Sequence, residues 1–193
     1  AGAALAGPNS RNLLSKLFSE IDVSNEAIPF MGYKEADLFG VPARIFRISF
    51  SGELAYEVNV ESNYGLFMWE KMMEIGQEFN NQPYGTEALS TLRIEMGHVA
   101  GPELDGRTIP QDVSLDGLVS KKKDFIGKNS LGKEAFVLEN RQKIVGLVPT
   151  DRKSSIPEGS HLVENEKAKL PNPKLGHVSS SCWSVENNNP FSL

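Results

Sequence analysis

The feature that most restricts the fold is a change of hydrophobic period between residues 56 and 79. Tyr56, Val58 and Val60 alternate with Glu57, Asn59 and Glu61, which is the two-residue period of a strand with one buried face. Tyr64, Met68, Met72, Ile75 and Phe79 then share one helix face, while Glu70, Lys71, Glu74 and Gln77 fill the rest. A half-buried strand that runs into an amphipathic helix requires a layered fold in which the two apolar sides close on each other.

The flanking sequence extends this pattern. After Gly7-Pro8-Asn9, the spacing of Leu13, Leu14, Leu17 and Phe18 predicts a short helix from Ser10 to about Ser19, following a strand. Gly40-Val41-Pro42 reads as a turn between strands at Lys34–Phe39 and Ala43–Phe50. A further helix is expected from Thr86 as N-cap to Gly97, with Leu89, Leu92 and Met96 on its buried stripe. This order predicts an α+β fold, an antiparallel sheet covered on one side by helices.

From Arg141 the character changes. Lys143–Val148, His161–Glu164 and Lys174–Ser181 read as strands, Pro157-Glu158-Gly159 as a turn, and Asn187-Asn188-Asn189-Pro190 as a loop, with no helix expected. A linker is placed near Leu138–Asn140, and a small β-barrel or sandwich is expected to start after it.

Composition narrows the function classes. Hydrophobic residues at 39% and charged residues at 23% fit a globular chain, and no apolar run is long enough to span a bilayer. A net charge of −5 without a basic, aromatic-spaced stretch argues against nucleic acid as partner. The single cysteine, Cys182, fits a reducing compartment, and cytoplasm is the expected location. The SFSG segment lacks the glycine spacing of a nucleophile elbow, the three histidines are scattered, and no GxGxxG follows a strand. Hydrolase, metal and dinucleotide chemistry are therefore unsupported within these residues.

Three segments carry polar groups where a ligand would meet them. In SFSGELAYEV, Ser51-Gly52 permits a tight or positive-φ turn beside Glu53, which is either a solvated loop residue or part of a loop shaped to approach a ligand. In PYGTEALSTLRIEMG, Glu95 lies about 60° from Leu92 on the helical wheel, so its carboxylate borders the expected apolar stripe. It also falls in the last turn, where the helix dipole disfavours an anion, so helix stability does not account for it. Its partner is either Arg93 or a loop lysine, or a ligand with two adjacent N–H donors, such as the amino edge of a pterin. Tyr84 is either core or a ring-stacking wall. In VSKKKDFIGKNSL, Lys121, Lys122 and Lys123 form either a solvated run or a basic group for a ligand carboxylate, with Phe125 and Ile126 expected to anchor the segment in the core.

Taken together, AGPNSRNLLSKL, FRISFSGELAYEVNV, YGLFMWEKM, PYGTEALSTLRIEMG, DGRTIPQD, KKKDFIGKNSL, RQKIVGLV and IPEGS with LGHVSSS resemble the sarcosine oxidase alpha subunits, within the glycine-cleavage T-protein (aminomethyltransferase) superfamily. The resemblance implies two folate-binding α+β lobes plus a C-terminal antiparallel β-barrel, and the fold expected for this chain is a ferredoxin-like antiparallel sheet with helices on one side, followed by part of that barrel. On that pattern residues 1–139 correspond to the second lobe and 140–193 to the start of the barrel. The first lobe, with the superfamily's catalytic aspartate, and the rest of the barrel would lie outside the chain, so no catalytic residue is expected here.

The same resemblance assigns roles. Glu95 matches the glutamate of the family's LRxE motif, which holds the pterin through its amino edge. Lys123, or alternatively Lys121 or Lys122, matches a basic position near folate, and Glu53 and Tyr84 are carried as pocket-wall residues. The implied ligand is tetrahydrofolate, with flavin and NAD elsewhere in the complex and other sarcosine oxidase subunits as partners. The implied activity is capture of the one-carbon unit from sarcosine demethylation as 5,10-methylenetetrahydrofolate, the isolated segment being inactive. The alternatives are a stand-alone aminomethyltransferase or a non-catalytic folate-binding or subunit-interaction module. A folate-binding regulator would carry a Lys-Gly-Cys signature, whereas Cys182 follows Ser181 and precedes Trp183. Ser114 and Asp116 in QDVSLDGLV stand where the family prefers glycines, and Phe50-Ser51-Gly52 lacks the tyrosine of the T-protein turn.

Overall fold

Two residues set the first hairpin. Phe39 at φ 52° and Gly40 at φ 91° both occupy the left-handed region, the requirement of a two-residue turn whose twist matches its strands. Leu38 therefore pairs with Val41, and the Asp37 carboxylate accepts a hydrogen bond from the Gly40 amide. In this computed structural model, which describes residues 1–167 and 171–193, the chain forms two compact units, Ala1–Leu89 and Ser90–Leu193. It is a mixed α/β fold with an antiparallel sheet and few helices.

Unit 1 contains β1 (Gly2–Ala6), α1 (Ser10–Leu17), β2 (Tyr33–Leu38), β3 (Val41–Phe46), β4 (Ala55–Val60) and α2 (Gly65–Gly76). The strands form an antiparallel sheet in the order β1-β4-β3-β2. Three strands separate α1 from α2, where a ferredoxin-like unit has two, because the tight β2–β3 turn and the loop before β4 bring the chain back to β1 as a meander. The expected turn at Gly40-Val41-Pro42 moves to Phe39-Gly40, and the second strand stops at Phe46 rather than Phe50. Pro42 is tolerated in β3 because β4 pairs only with Ala43–Phe46, so the missing N–H takes nothing from that ladder.

The expected helical stripes bury as their spacing requires. Leu13, Leu14 and Leu17 of α1, with Phe18, and Met68 and Met72 of α2 join Leu5, Leu38, Val41, Ala43, Ile45, Tyr56, Val58 and Val60 in one apolar cluster. Val41, Ala43 and Ile45 alternate along β3 and Tyr56, Val58 and Val60 along β4, so one face of the sheet is buried and the other carries Glu35, Arg44, Glu57 and Asn59.

A third helix, α3 (Thr86–Met96), spans the division between the units. Among its described residues, the rest of unit 2 holds 3-10 turns and two antiparallel strand pairs: β5 (His161–Val163) with β6 (Lys174–His177), and β7 (Ser181–Ser184) with β8 (Asn189–Ser192). The strand expected over Lys143–Val148 is reduced to one bridge, Leu147 with Ser192. The backbone there finds its partners one at a time, Ile144 from Asp112 and Leu147 from Ser192, and no ladder develops. The single strand expected over Lys174–Ser181 divides into β6 and the start of β7. The Asn187–Pro190 loop is corrected too: Asn188, at φ 50°, ends the turn, and Asn189 and Pro190 belong to β8.

Candidate functional site

The C-terminal turn of α3 is fixed by its backbone and by one side chain. Gly97, at φ 76°, lets the His98 amide reach the Arg93 carbonyl at 2.8 Å and its own amide reach that of Ile94 at 2.9 Å. This paired cap satisfies carbonyls that a helix end leaves open. Glu95 lies between these capped residues, half-buried.

The stripe expected on this helix is corrected. Met96 is 56% exposed and Leu92 only half-buried, whereas Arg93 and Ile94 are the buried residues. A buried guanidinium needs partners for its donors, and Arg93 has them. Its Nη1 donates to Glu103 Oε2 at 2.7 Å and to the His98 carbonyl at 3.4 Å, and Nη2 donates to Ser180 Oγ at 2.6 Å. Glu103 also accepts from the Ala100 amide at 2.8 Å, from Ser179 Oγ at 2.9 Å and from Ser180 Oγ. Burial alone would push the Glu103 carboxyl up, but these hydrogen bonds and the Arg93 charge hold it below its usual range.

Arg93, weighed as a structural partner for Glu95, is thus engaged by Glu103 instead. Among the described residues, the Glu95 side chain makes no hydrogen bond or ion pair. Its charge is felt at Cys182, whose thiol is pushed up first by burial and then by Glu95, against opposing effects of Arg93 and the Phe191 backbone. The Cys182 thiol donates to the Thr91 carbonyl at 3.8 Å, one turn before Glu95.

The other expected positions are spread out. Glu53 is exposed in the loop before β4, beside Gly52 at φ 85°. Lys121, Lys122 and Lys123 are exposed, and the segment is held by its own polar contacts, such as Lys128 Nζ to the Lys123 carbonyl at 3.0 Å and to Asp124 at 3.0 Å. The core anchoring expected of Phe125 and Ile126 is not found: Ile126 is fully exposed and Phe125 is 39% exposed, since no regular element fixes this stretch against the core. Tyr84, 42% exposed, lines a groove of about 600 Å³ with Trp69, Phe79, Asn80 and the edge strand β1. A second groove, about 740 Å³, lies on the polar face of the sheet between Glu35, Arg44, Phe46, Glu57 and Asn59. Glu95, Glu53 and the three lysines line neither groove.

The sequence reading missed Glu103, Ser179 and Ser180, which gather around Arg93 from far along the chain. The Ser179-Ser180-Ser181 run in LGHVSSS was visible as a motif, but its contact with α3 was not.

The GCVT N-terminal domain model matches residues 1–123, and the chain belongs to that family. It is similar to the sarcosine oxidase alpha subunit of a Corynebacterium species, 43% identical over 185 residues, covering 94% of this chain and 19% of that protein. The Rhizobium meliloti alpha subunit is 42% identical over 184 residues, covering 94% of this chain and 18% of that one. An aminomethyltransferase of Chloroherpeton thalassium is 32% identical over 183 residues, covering 94% of this chain and 48% of its own length. The chain thus spans about a fifth of the alpha subunits it matches. In fold it is similar to the glycine cleavage system aminomethyltransferase T from Bartonella henselae, with a TM-score of 0.75 at 24% identity over 99% of this chain and 50% of that one. Among the described residues, no helix is long and apolar enough to cross a membrane.

Proposed function

We propose that this chain is the tetrahydrofolate-binding portion of a sarcosine oxidase alpha subunit, in which Glu95 grips the pterin. The observation that carries the reading is that Glu95, half-buried in a capped helix turn, has a side chain without a hydrogen-bond or ion-pair partner among the described residues, while the neighbouring Arg93 is engaged by Glu103, Ser180 and the His98 carbonyl. A carboxylate offers two oxygens to a ligand edge that presents two N–H donors, a bidentate match. In the proposed complex, Lys123 faces the folate carboxylates and Tyr84 and Glu53 form walls of the pocket.

Bound tetrahydrofolate would supply the nitrogens that take up the one-carbon unit released from sarcosine, giving 5,10-methylenetetrahydrofolate. The contribution of this chain is then to bind and orient, which lowers the entropic part of the barrier. Residues 1–139 act as the second folate lobe and 140–193 as the start of the barrel. Flavin and NAD act elsewhere in the complex, and turnover needs the other subunits. Higher identity to the alpha subunits, 43% against 32%, favours this over a stand-alone aminomethyltransferase.

Calorimetric titration with tetrahydrofolate, beside a full-length alpha subunit, tests the reading. Glu95→Ala is expected to weaken binding by about 1.5–3 kcal/mol, the loss of a charge-assisted hydrogen-bonded pair. Unchanged affinity removes Glu95 from the site.

A further inference from the structure

Glu103 receives four donors on two oxygens, which fills the capacity of a carboxylate. Its side chain is 2% exposed and that of Arg93 is 5% exposed, so neither is placed to meet a ligand directly. Such a cluster is an inefficient way to gain stability, because desolvating two charges offsets most of their attraction. Its geometry does something else. Arg93 is held at both ends: its carbonyl closes the cap of α3, and its guanidinium bonds the His98 carbonyl, Glu103 and Ser180. Two residues further on stands Glu95, and the segment 180–182 touches the same helix a second time through Cys182 and Thr91.

We infer that Glu103, acting through Arg93 and Ser180, is a positioning residue for Glu95, fixing the last turn of α3 against the segment that leads into β7. The inference rests on the reading of Glu95 as the pterin-binding carboxylate. It also explains why a buried arginine beside Glu95 leaves that carboxylate unneutralised: successive odd positions of a helix point to opposite sides, and Glu103 holds the guanidinium on its own side.

The test is a double-mutant cycle on the whole chain with two readouts. The first is affinity for 5-formyltetrahydrofolate, a chemically stable folate. Glu103→Gln is expected to weaken binding about tenfold and the milder Ser180→Ala about threefold, while Glu95→Gln combined with Glu103→Gln binds within about twofold of Glu95→Gln alone. Losses that multiply, or wild-type affinity in Glu103→Gln, overturn the inference. Ser180→Ala, which keeps the ion pair, serves should Glu103→Gln fail to fold.

The second readout needs no folate: the pH profile of iodoacetamide alkylation at Cys182, the single cysteine. Cys182 senses the charges of Glu95 and Arg93 and the Phe191 backbone, so Glu95→Gln shifts the profile to lower pH. That shift is expected to shrink at least about threefold in the Glu103→Gln background. If it persists undiminished, Glu103 does not position Glu95. If instead Glu95→Gln binds folate like wild type, the folate reading fails, and the alkylation profile alone decides the positioning role.

Discussion

Unit 1 and unit 2 hold themselves together by different physics. In unit 1 a continuous apolar cluster runs from Leu5 through the two helices to Met72, and its buried polar residues are only Ser10 and Ser51. Among the described residues of unit 2 the buried apolar side chains are Ile94, Ile109, Val113, Val178, Pro190 and Leu193, while Arg93, Ser180, Ser184, Asn189 and Ser192 are equally buried. Two ion pairs, Arg93 with Glu103 and Arg141 with Asp112, connect segments that no strand ladder joins. An apolar core tolerates small shifts because dispersion is non-directional, whereas a hydrogen-bonded cluster works in only one geometry. The unit that carries the proposed ligand-binding carboxylate is therefore the one whose order depends on direction.

That contrast can be broken at its strongest point first. Glu103→Ala leaves Arg93 buried without its counter-charge and is expected to cost about 3–5 kcal/mol. Amide hydrogen exchange should locate the loss in residues 90–193. The matching cut in unit 1, Leu14→Ala at a fully buried position, is expected to cost about 2–5 kcal/mol through a cavity, with the loss in residues 1–89. Equal exchange changes in both units for either variant would erase the distinction.

Acid should also separate the units. The carboxyls of Glu103 and Asp112 are held below their ordinary values of 4.5 and 3.8, Asp112 chiefly by its hydrogen bonds with Arg141. A depressed carboxyl contributes stability that is complete above its unfolded value and lost as pH falls through the lower folded one. Denaturant unfolding between pH 6 and 2 is thus expected to weaken unit 2 progressively below about pH 4.5, with less effect on unit 1, whose one depressed carboxyl, Asp22, is exposed. The smallest effect is expected at the lysine run: Lys123→Ala should leave stability within about 0.5 kcal/mol, since the side chain is exposed and unpaired in any ion pair of the described residues. A larger change in a thermal melt would mean that the segment is packed rather than solvated.

How far the sequence could be read follows the same division. The stripes of α1 and α2 and the alternation in β4 were readable because period and burial are linked locally, and each residue's neighbours in sequence already name its face. On α3 the same reasoning failed: Leu92 and Met96 obey the helical period, yet the buried residues are Arg93 and Ile94, and nothing within a few residues of Arg93 announces its charged partner. Glu103 and Ser180 are 10 and 87 residues away from it.

From sequence alone came the elements of the apolar unit, the capped helix ending at Gly97, and the family resemblance that drew attention to Glu95. Those depend on local periodicity and on ordered motifs. The tertiary structure alone decided that Arg93 turns to Glu103 and Ser180 and that Glu95 keeps an open carboxylate. The physical reason is that desolvated charges choose partners by three-dimensional proximity, and proximity across a fold is not written in the spacing of any one segment.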